Sequence, residues 1–291
     1  MKHAFNLIAS GLGILAGLII TAAPATAQVG TGRSFKGPVG LQLYSLRAEF
    51  TRNVPAAIQM VKNLGVKNVE LAGTYNLSPA KFKAMLDEAG LKPVSGHFPY
   101  DRYKTDPEGI ANDAKTLGLE YAGCAWISHQ GEFDKAECRD AIQVFNRAGE
   151  VLRKKGIKFF YHCHGYEFRP YKDRTFMDLL MEETDPKNVR YQMDVLWVVH
   201  PGFDPVVYLK KYGKRWELMH LKDLRKGVKG DFTGKSNVED DVVLGQGQMD
   251  WASILKAAKE VGVKHYFIED EATAAAKQIP QSIKYLESLR W

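Results

Sequence analysis

The sequence predicts an α/β chain of the parallel class: a single (β/α)8 TIM barrel over residues 36–291, behind an N-terminal signal peptide at residues 1–27. Three observations carry this. Short apolar runs alternate with amphipathic helical runs eight times, and strands alternating with helices imply a parallel sheet. No Pro/Ser-rich linker or shift of composition divides the series, so 291 residues read as one large unit. The first strand is followed by RAEF rather than a glycine-rich turn. A doubly wound open sheet would want such a turn for phosphate there.

The units follow in order. GLQLYSL (40–46) reads as a strand and PAAIQMVKNLG (55–65) as a helix closed by glycine. NVELAG (68–73) precedes SPAKFKAMLDEAG (78–90), where Ser78 is the expected N-cap, Pro79 sits at the first helical position and Gly90 ends the helix. LKPVSGHF (91–98) is the third strand, with a helix over 106–118; EYAGCAWI (120–127) is the fourth, with a long helix over 134–156. IKFFYHCH (157–164) precedes a helix near 175–183, and NVRYQMDVLWV (188–198) one over 204–213. RWELMHLKD (215–223) is the seventh strand, followed by its helix at 251–262; HYFIEDEA (265–272) precedes a last helix near 280–289. The longest connection, Leu224 to Asp250, joins the seventh strand to its helix. Long loops in compact domains are usually functional, so a lid or substrate wall is expected; the GQG at 245–247 reads as a plain turn.

The leader is read from a basic start at Lys2 and His3, an apolar run from about Leu7 to Ile20, and Ala25-Thr26-Ala27 before Gln28. That is the three-part pattern of a secretory signal. The apolar run is short for a membrane anchor. The expectation is an exported, periplasmic protein without a stable membrane anchor after cleavage. Lys and Arg number 40 against 34 Asp and Glu, a formal +6, with no basic stripe interleaved with aromatics. Nucleic acid is therefore not an expected partner. Cys124, Cys138 and Cys163 are an odd set; buried apolar thiols are the favoured reading.

A barrel of this kind puts its reacting groups at the C-terminal ends of its strands. The sequence puts Glu70, His97, His162 with His164, Asp194, His220 with Lys222, and Glu269 there. Residues two apart on a strand share a face, so His162 and His164 are expected to point one way and Cys163 the other. Each has a plainer reading alone. A strand histidine can be a satisfied core residue, Glu70 an ion pair with a strand lysine, Asp194 a cap for the next turn, and Lys222 a salt bridge to Asp223 or Glu269. Jointly they point elsewhere, because charged groups in a barrel mouth cost several kcal/mol each unless paired or metal-bound. His, Asp, His and Glu from four strands suit one divalent ion, Mn, Co, Zn or Fe, with open positions for substrate.

GLQLYSLR, NVELAG, YHCHGYEF, MDVLWVVHPGFDP, MHLKD and LGQGQMDW followed by FIEDE occur in that order. On these segments the chain resembles the xylose isomerase-like barrel superfamily, the sugar phosphate isomerase/epimerase group that also holds AP endonuclease family 2 and inosose dehydratase. The resemblance implies metal ligands at His162, Asp194, His220 and Glu269, leaving open whether His162 or His164 is the fifth-strand ligand. Many epimerases of the group carry Glu where this chain has His162, and use it with the eighth-strand Glu as an acid/base pair. The His-x-His here is similar to the inosose dehydratase branch.

The chemistry implied is proton abstraction next to a carbonyl, through an enediolate, with the cation as Lewis acid. Glu269, His164 and Glu70 are the expected bases, and Lys222 would hold the enediolate oxygen. His97 would contact sugar hydroxyls, while Trp126, Trp197 and Tyr44 are expected either to stack on the substrate or to lie in the core. The expectation is a metal-dependent sugar isomerase/epimerase acting on a small-molecule sugar or keto sugar. The alternative is an exported metal-dependent keto-sugar lyase/dehydratase working by β-elimination on a 3-keto-glycoside, whose glycosidic bond it would cleave, or on an inosose-like substrate, and a non-catalytic sugar-binding barrel is a third reading. An AP endonuclease would want another histidine where Trp197 stands. Nothing in the helices decides between a monomer and a homo-oligomer.

Overall fold

The computed structural model describes Met1 and residues 28–291. The leader expected over residues 1–27 lies outside the described residues, Met1 apart. Eight parallel strands close into a barrel: β1 (Val39–Gln42), β2 (Asn68–Leu71), β3 (Lys92–His97), β4 (Tyr121–Cys124), β5 (Lys158–His162), β6 (Val189–Asp194), β7 (Trp216–Leu221) and β8 (His265–Ile268). β1 pairs with β2 on one side and β8 on the other, through Leu41 against Val69 and Ile268, which shuts the ring. No helix among the described residues is long and apolar enough to cross a membrane.

The outer helices begin and end where side-chain chemistry allows. Ser78 accepts from the Lys81 N–H to open Pro79–Ala89, and Gly90 closes it at φ 74°. Asp134 and Glu137 form a reciprocal capping box at the start of Lys135–Lys154. Inside the barrel, Phe160, Leu218 and Phe267 are fully buried. Each lies two residues before His162, His220 or Glu269, so the strand period places apolar packing beneath the polar mouth. Gly123 is required there, because a Cβ would meet the Phe160 ring at 2.2 Å.

Several strands stop earlier than the apolar runs suggest, and each stop has a polar cause. Pairing ends at Gln42, whose side chain accepts from the Tyr44 N–H and turns residues 43–46 into a 3-10 helix. β5 ends at His162: Gly165 adopts φ 96°, and Glu167 accepts from the His164 N–H at 2.7 Å. β6 ends at Asp194, which caps the short helix Val195–Val199. The last helix starts earlier than expected, at Ala275, and carries Pro280 within it. All three cysteines are free and buried. Asp223 accepts from the backbone N–H groups of Gly245, Gly247 and Met249 and from the Trp251 indole, so the GQG segment is a turn folded around a carboxylate.

Candidate metal centre and active site

The C-terminal mouth of the barrel holds a cavity of about 520 Å³. His97, His162, His164, Trp197, His220 and Glu269 line it from the strand ends, with Tyr44 at one side. Gly234, Lys235, Ser236 and Val238 line it from the long connection after β7, which therefore forms a wall of the site as expected.

Four atoms converge at its floor. His162 Nε2 lies 3.9 Å from Asp194 Oδ2, which lies 3.6 Å from His220 Nδ1. His220 Nδ1 is in turn 2.7 Å from Glu269 Oε2. Asp194, His220 and Glu269 form one compact group of potential ligands, and His97, His162 and His220 form another that shares His220. Of the converging atoms, Asp194 Oδ2 is buried without a hydrogen-bond partner, and His220 Nδ1 has only the Glu269 carboxylate beside it. Buried polar atoms are normally satisfied, and an orphan calls for an explanation such as an ion. Asp194 thus does two jobs. Its Oδ1 accepts from the Leu196 and Trp197 N–H groups, and its Oδ2 is left between His162 Nε2 and His220 Nδ1.

The tautomers are fixed from behind. Glu70 is fully buried and accepts from Ser95 Oγ at 2.5 Å, Gln42 Nε2 at 2.6 Å and Gln192 Nε2 at 2.8 Å. It also accepts from His220 Nε2, which fixes a proton on Nε2 and leaves Nδ1 as the nitrogen that faces Glu269. Gln192, anchored on Glu70, presents its Oε1 to His162 Nδ1 at 3.0 Å, which leaves the His162 Nε2 lone pair for a ligand. Gln192 Oε1 also meets His97 Nε2 at 3.2 Å.

Charge follows this wiring. Burial opposes ionisation of Glu70, yet the His97 and His220 charges hold its carboxyl at about 2. Burial drives His162 well below the ordinary imidazole value, with His220 and His97 adding to the effect, so it is neutral. Burial also resists a charge on His220, but Glu269 and Glu70 raise it well above its usual value. Glu269 is buried, yet Lys222 and His220 keep it below the normal carboxylate range.

Several expected residues are placed differently. Glu70 is not the expected base: it does not line the cavity, and its oxygens are taken by the groups named above. Lys222 is not open to hold a substrate oxygen. It is 1 % exposed, its ammonium pairs with Glu271 and lies 3.6 Å from Asp241, and neither salt bridge expected for it is made. Trp126 lies outside this cavity and walls a neighbouring one. Trp197 lines the cavity and stacks on His164, with centroids 4.6 Å apart. His164 leaves the strand but faces the same cavity as His162, ring centroids 5.5 Å apart. Its Nδ1 donates to the Ala125 carbonyl at 3.1 Å, which leaves Nε2 as an acceptor. Burial and then Lys222 push its pKa down to about 3, so it too is neutral.

Sequence reasoning missed Gln192, Glu271, Gln42 and Ser95. Gln192 and Glu271 lie two residues from Asp194 and Glu269, so strand periodicity could have found them. The contacts of Gln42 and Ser95 with Glu70 cross between strands and carry no local signal.

The profile of the xylose isomerase-like TIM barrel family matches residues 58–289. The chain is 31% identical over 234 residues to an inosose dehydratase of Clostridium botulinum (strain Alaska E43 / Type E3), covering 70% of this chain and 77% of that one. It is 28% identical over 156 residues to an inosose dehydratase of Clostridium tetani, covering 51% of each. The matches to the first curated relatives span between 51% and 60% of their lengths. In structure it is similar to a sugar phosphate isomerase/epimerase from Parabacteroides distasonis, with TM-score 0.73 and 27% identity, covering 86% of this chain and 98% of that one. The chain belongs to the xylose isomerase-like TIM barrel family.

Proposed function

We propose that this protein is a metal-dependent lyase, eliminating a group β to the carbonyl of a keto polyol or keto sugar, rather than the isomerase/epimerase first expected. The observation that carries this reading is the absence, among the described residues, of a symmetrical carboxylate pair across the cavity. His162 stands at the end of β5 opposite Glu269, and its imidazole is neutral. Epimerisation by two opposed groups wants a proton acceptor on each face of the carbon. Elimination wants one acceptor and a path out for the leaving group. The inosose dehydratase relatives, though matched over part of their length, support the same class.

The proposed ligand atoms are His162 Nε2, Asp194 Oδ2, His220 Nδ1 and Glu269 Oε2. They are imidazole nitrogens and carboxylate oxygens, a donor set that suits Mn, Co, Zn or Fe. A divalent ion held there supplies Lewis-acid polarisation of the substrate carbonyl. His164 Nε2, just beyond the end of β5, faces the cavity as an acceptor and takes the α-proton. Its Nδ1 bond to the Ala125 carbonyl fixes the ring and supports the positive charge that then develops. Trp197 stacks on that ring and keeps water from one face of it. Tyr44 and His97 are left to contact substrate hydroxyls.

The test is incubation of metal-loaded protein with an inosose in deuterated water, followed by NMR and ultraviolet absorbance. Elimination predicts a new unsaturated carbonyl chromophore and one water released per turnover. Recovery of deuterated, epimerised ketone with no chromophore would instead establish the isomerase reading that the Parabacteroides neighbour's description favours.

A further inference from the structure

His162 and His164 stand two residues apart, yet different side chains hold them. Gln192, itself anchored on Glu70, orients His162 toward the ligand group. His164 bonds neither of these two. Strand pairing ends just before it: the Cys163 N–H donates to the Gln192 carbonyl at 3.2 Å. The next N–H, that of His164, donates to Glu167 Oε1 at 2.7 Å, three residues on across the turn. Gly165 makes that turn with φ 96°, and a Cβ there would meet the Trp197 ring at 3.1 Å. The imidazole is then held at Nδ1 by the Ala125 carbonyl and on one face by Trp197, with Trp126 edge-on to it at 5.0 Å. Glu167 fixes the backbone that carries this ring.

Stability alone does not account for a carboxyl at this position. Glu167 is fully buried, and its Oε2 has no hydrogen-bond partner. The titratable side chains that feel its charge are Tyr161, Cys163 and Tyr166 on its own segment, Cys138 on the helix Lys135–Lys154, Tyr191 on β6 and Tyr208 on the helix Pro205–Tyr212. Burial holds the proton on every one of them, so none is a cation. Burial likewise pushes the Glu167 carboxyl up to about 7, against the backbone N–H bonds that lower it. A buried polar group left partly unsatisfied costs stability, and strongly perturbed groups cluster at functional sites. We infer that Glu167 is a positioning residue: through the His164 N–H it sets how the His164 imidazole projects into the cavity, independently of the metal ligands. This inference rests on the assignment of His164 as the acceptor of the α-proton. Glu167 does not line the cavity, and its bond is to backbone, so it acts through His164 and touches no substrate. Its effect is on reach, because a base must stand within hydrogen-bond distance of the proton it takes. Near neutrality the acid and its anion are both present, and either offers Oε1 to the N–H. An amide of the same length should therefore serve in its place.

The experiment compares the metal-loaded full chain as wild type, Glu167→Leu, which keeps the buried volume without an acceptor, and Glu167→Gln, which keeps the acceptor without the charge. The readouts are bound metal per chain, kcat and KM on an inosose, and nitrogen-15 NMR of the histidine-labelled zinc form. The His164 Nδ1–H resonance is assigned by its loss in His164→Gln. Glu167→Leu should keep the wild-type metal content, leave KM within about threefold and lower kcat about 100-fold, the scale set by a misplacement near 1 Å. Its His164 Nδ1–H resonance should shift or vanish. Glu167→Gln should return kcat to within about tenfold of wild type and restore the resonance. A merely structural role predicts metal content and kcat falling together in both variants, and that result overturns the inference. So does wild-type kcat in Glu167→Leu, or a Glu167→Gln as impaired as Glu167→Leu. If wild type does not turn over the inosose, the lyase reading fails and the resonance decides alone. A signal displaced in Glu167→Leu and kept in Glu167→Gln supports the positioning role, and one unchanged in both overturns it.

Discussion

At the N-terminal end of β7, Glu217 is 6 % exposed and its oxygens are fully used. Arg190 Nε donates to Oε1 at 2.7 Å, and Tyr121 Oη, Lys264 Nζ and Lys158 Nζ donate to Oε2 at 2.7, 3.0 and 3.3 Å. At the C-terminal end of the same strand, His220 Nδ1 meets only the Glu269 carboxylate, and across from it Asp194 Oδ2 has no hydrogen-bond partner. One end of the barrel saturates its buried charge, and the other leaves a buried carboxylate oxygen unmet where His162, His220 and Glu269 converge. A satisfied buried charge holds a fold together, whereas converging unsatisfied atoms cost stability until a ligand arrives. The contrast separates residues that support the barrel from residues reserved for chemistry, and substitutions can break it at either end.

The largest effect is expected from Asp194→Asn. The amide oxygen can still cap the helix that follows, so the fold should survive. The anionic Oδ2 is lost from the floor of the site. Bound metal, measured by elemental analysis of the purified protein, should fall from about one per chain to near zero. Activity should fall at least ~100-fold, since even residues behind the ligands are worth about 10–100-fold. Full metal retention in this variant would remove Asp194 from the ligand set.

Glu70→Gln tests the layer behind. The amide cannot accept from Ser95, Gln42, Gln192 and His220 together, so the His220 tautomer loosens. Metal affinity by competition with a chelator should drop about 10–100-fold, with activity recovering at excess metal. A variant that bound metal as tightly as wild type would mean that the ligands hold their orientation without this carboxylate. At the opposite pole, Glu217→Ala should leave metal content and kcat/KM unchanged and cost stability. It removes the acceptor of the buried Tyr121 O–H, whose oxygen keeps only the Lys158 Nζ donor, a loss of about 1–3 kcal/mol, to be read as a lower thermal midpoint. An activity loss matching that of Asp194→Asn would erase the distinction between the two ends.

The same contrast governs how much the sequence revealed. The alternation of strands and helices is a periodic, local signal, and it located the eight strands and the caps at Ser78 and Gly90. His162, Asp194, His220 and Glu269 were legible because strand ends in a closed barrel must share one mouth. Which histidine nitrogen faces the site was not legible, since Gln192 and Glu70 set it from other strands. Lys222 was misplaced for a related reason. Spacing put it on the face of His220, but the strand ends at Leu221, and Asp241 from the long loop and Glu271 from beyond β8 take its charge. The neighbouring cavity walled by Trp126 had no sequence signature, because three separate loops build it.

The smallest expected effect is the acid response of the saturated end, and its sign follows from Glu217. Burial opposes its charge, but hydrogen bonds from Tyr121, Lys264 and Arg190 hold its carboxyl at about 2, against 4.5 for the free group. As pH falls, the unfolded chain takes up this proton before the folded one does. The stabilisation is therefore fully present above about pH 4.5 and is lost as pH drops through the folded value near 2. Glu217→Gln keeps the shape without the ionisation. The urea midpoints of wild type and variant, measured at fixed salt from pH 6 to pH 2, should differ most at the upper end and converge toward the lower. A constant gap would mean that hydrogen bonding alone carries the contribution. A gap that closes with added salt at pH 6 would assign it to the half-exposed Lys158 and Lys264 ammonium groups, whose attraction salt screens, rather than to the Tyr121 hydroxyl, which salt does not reach.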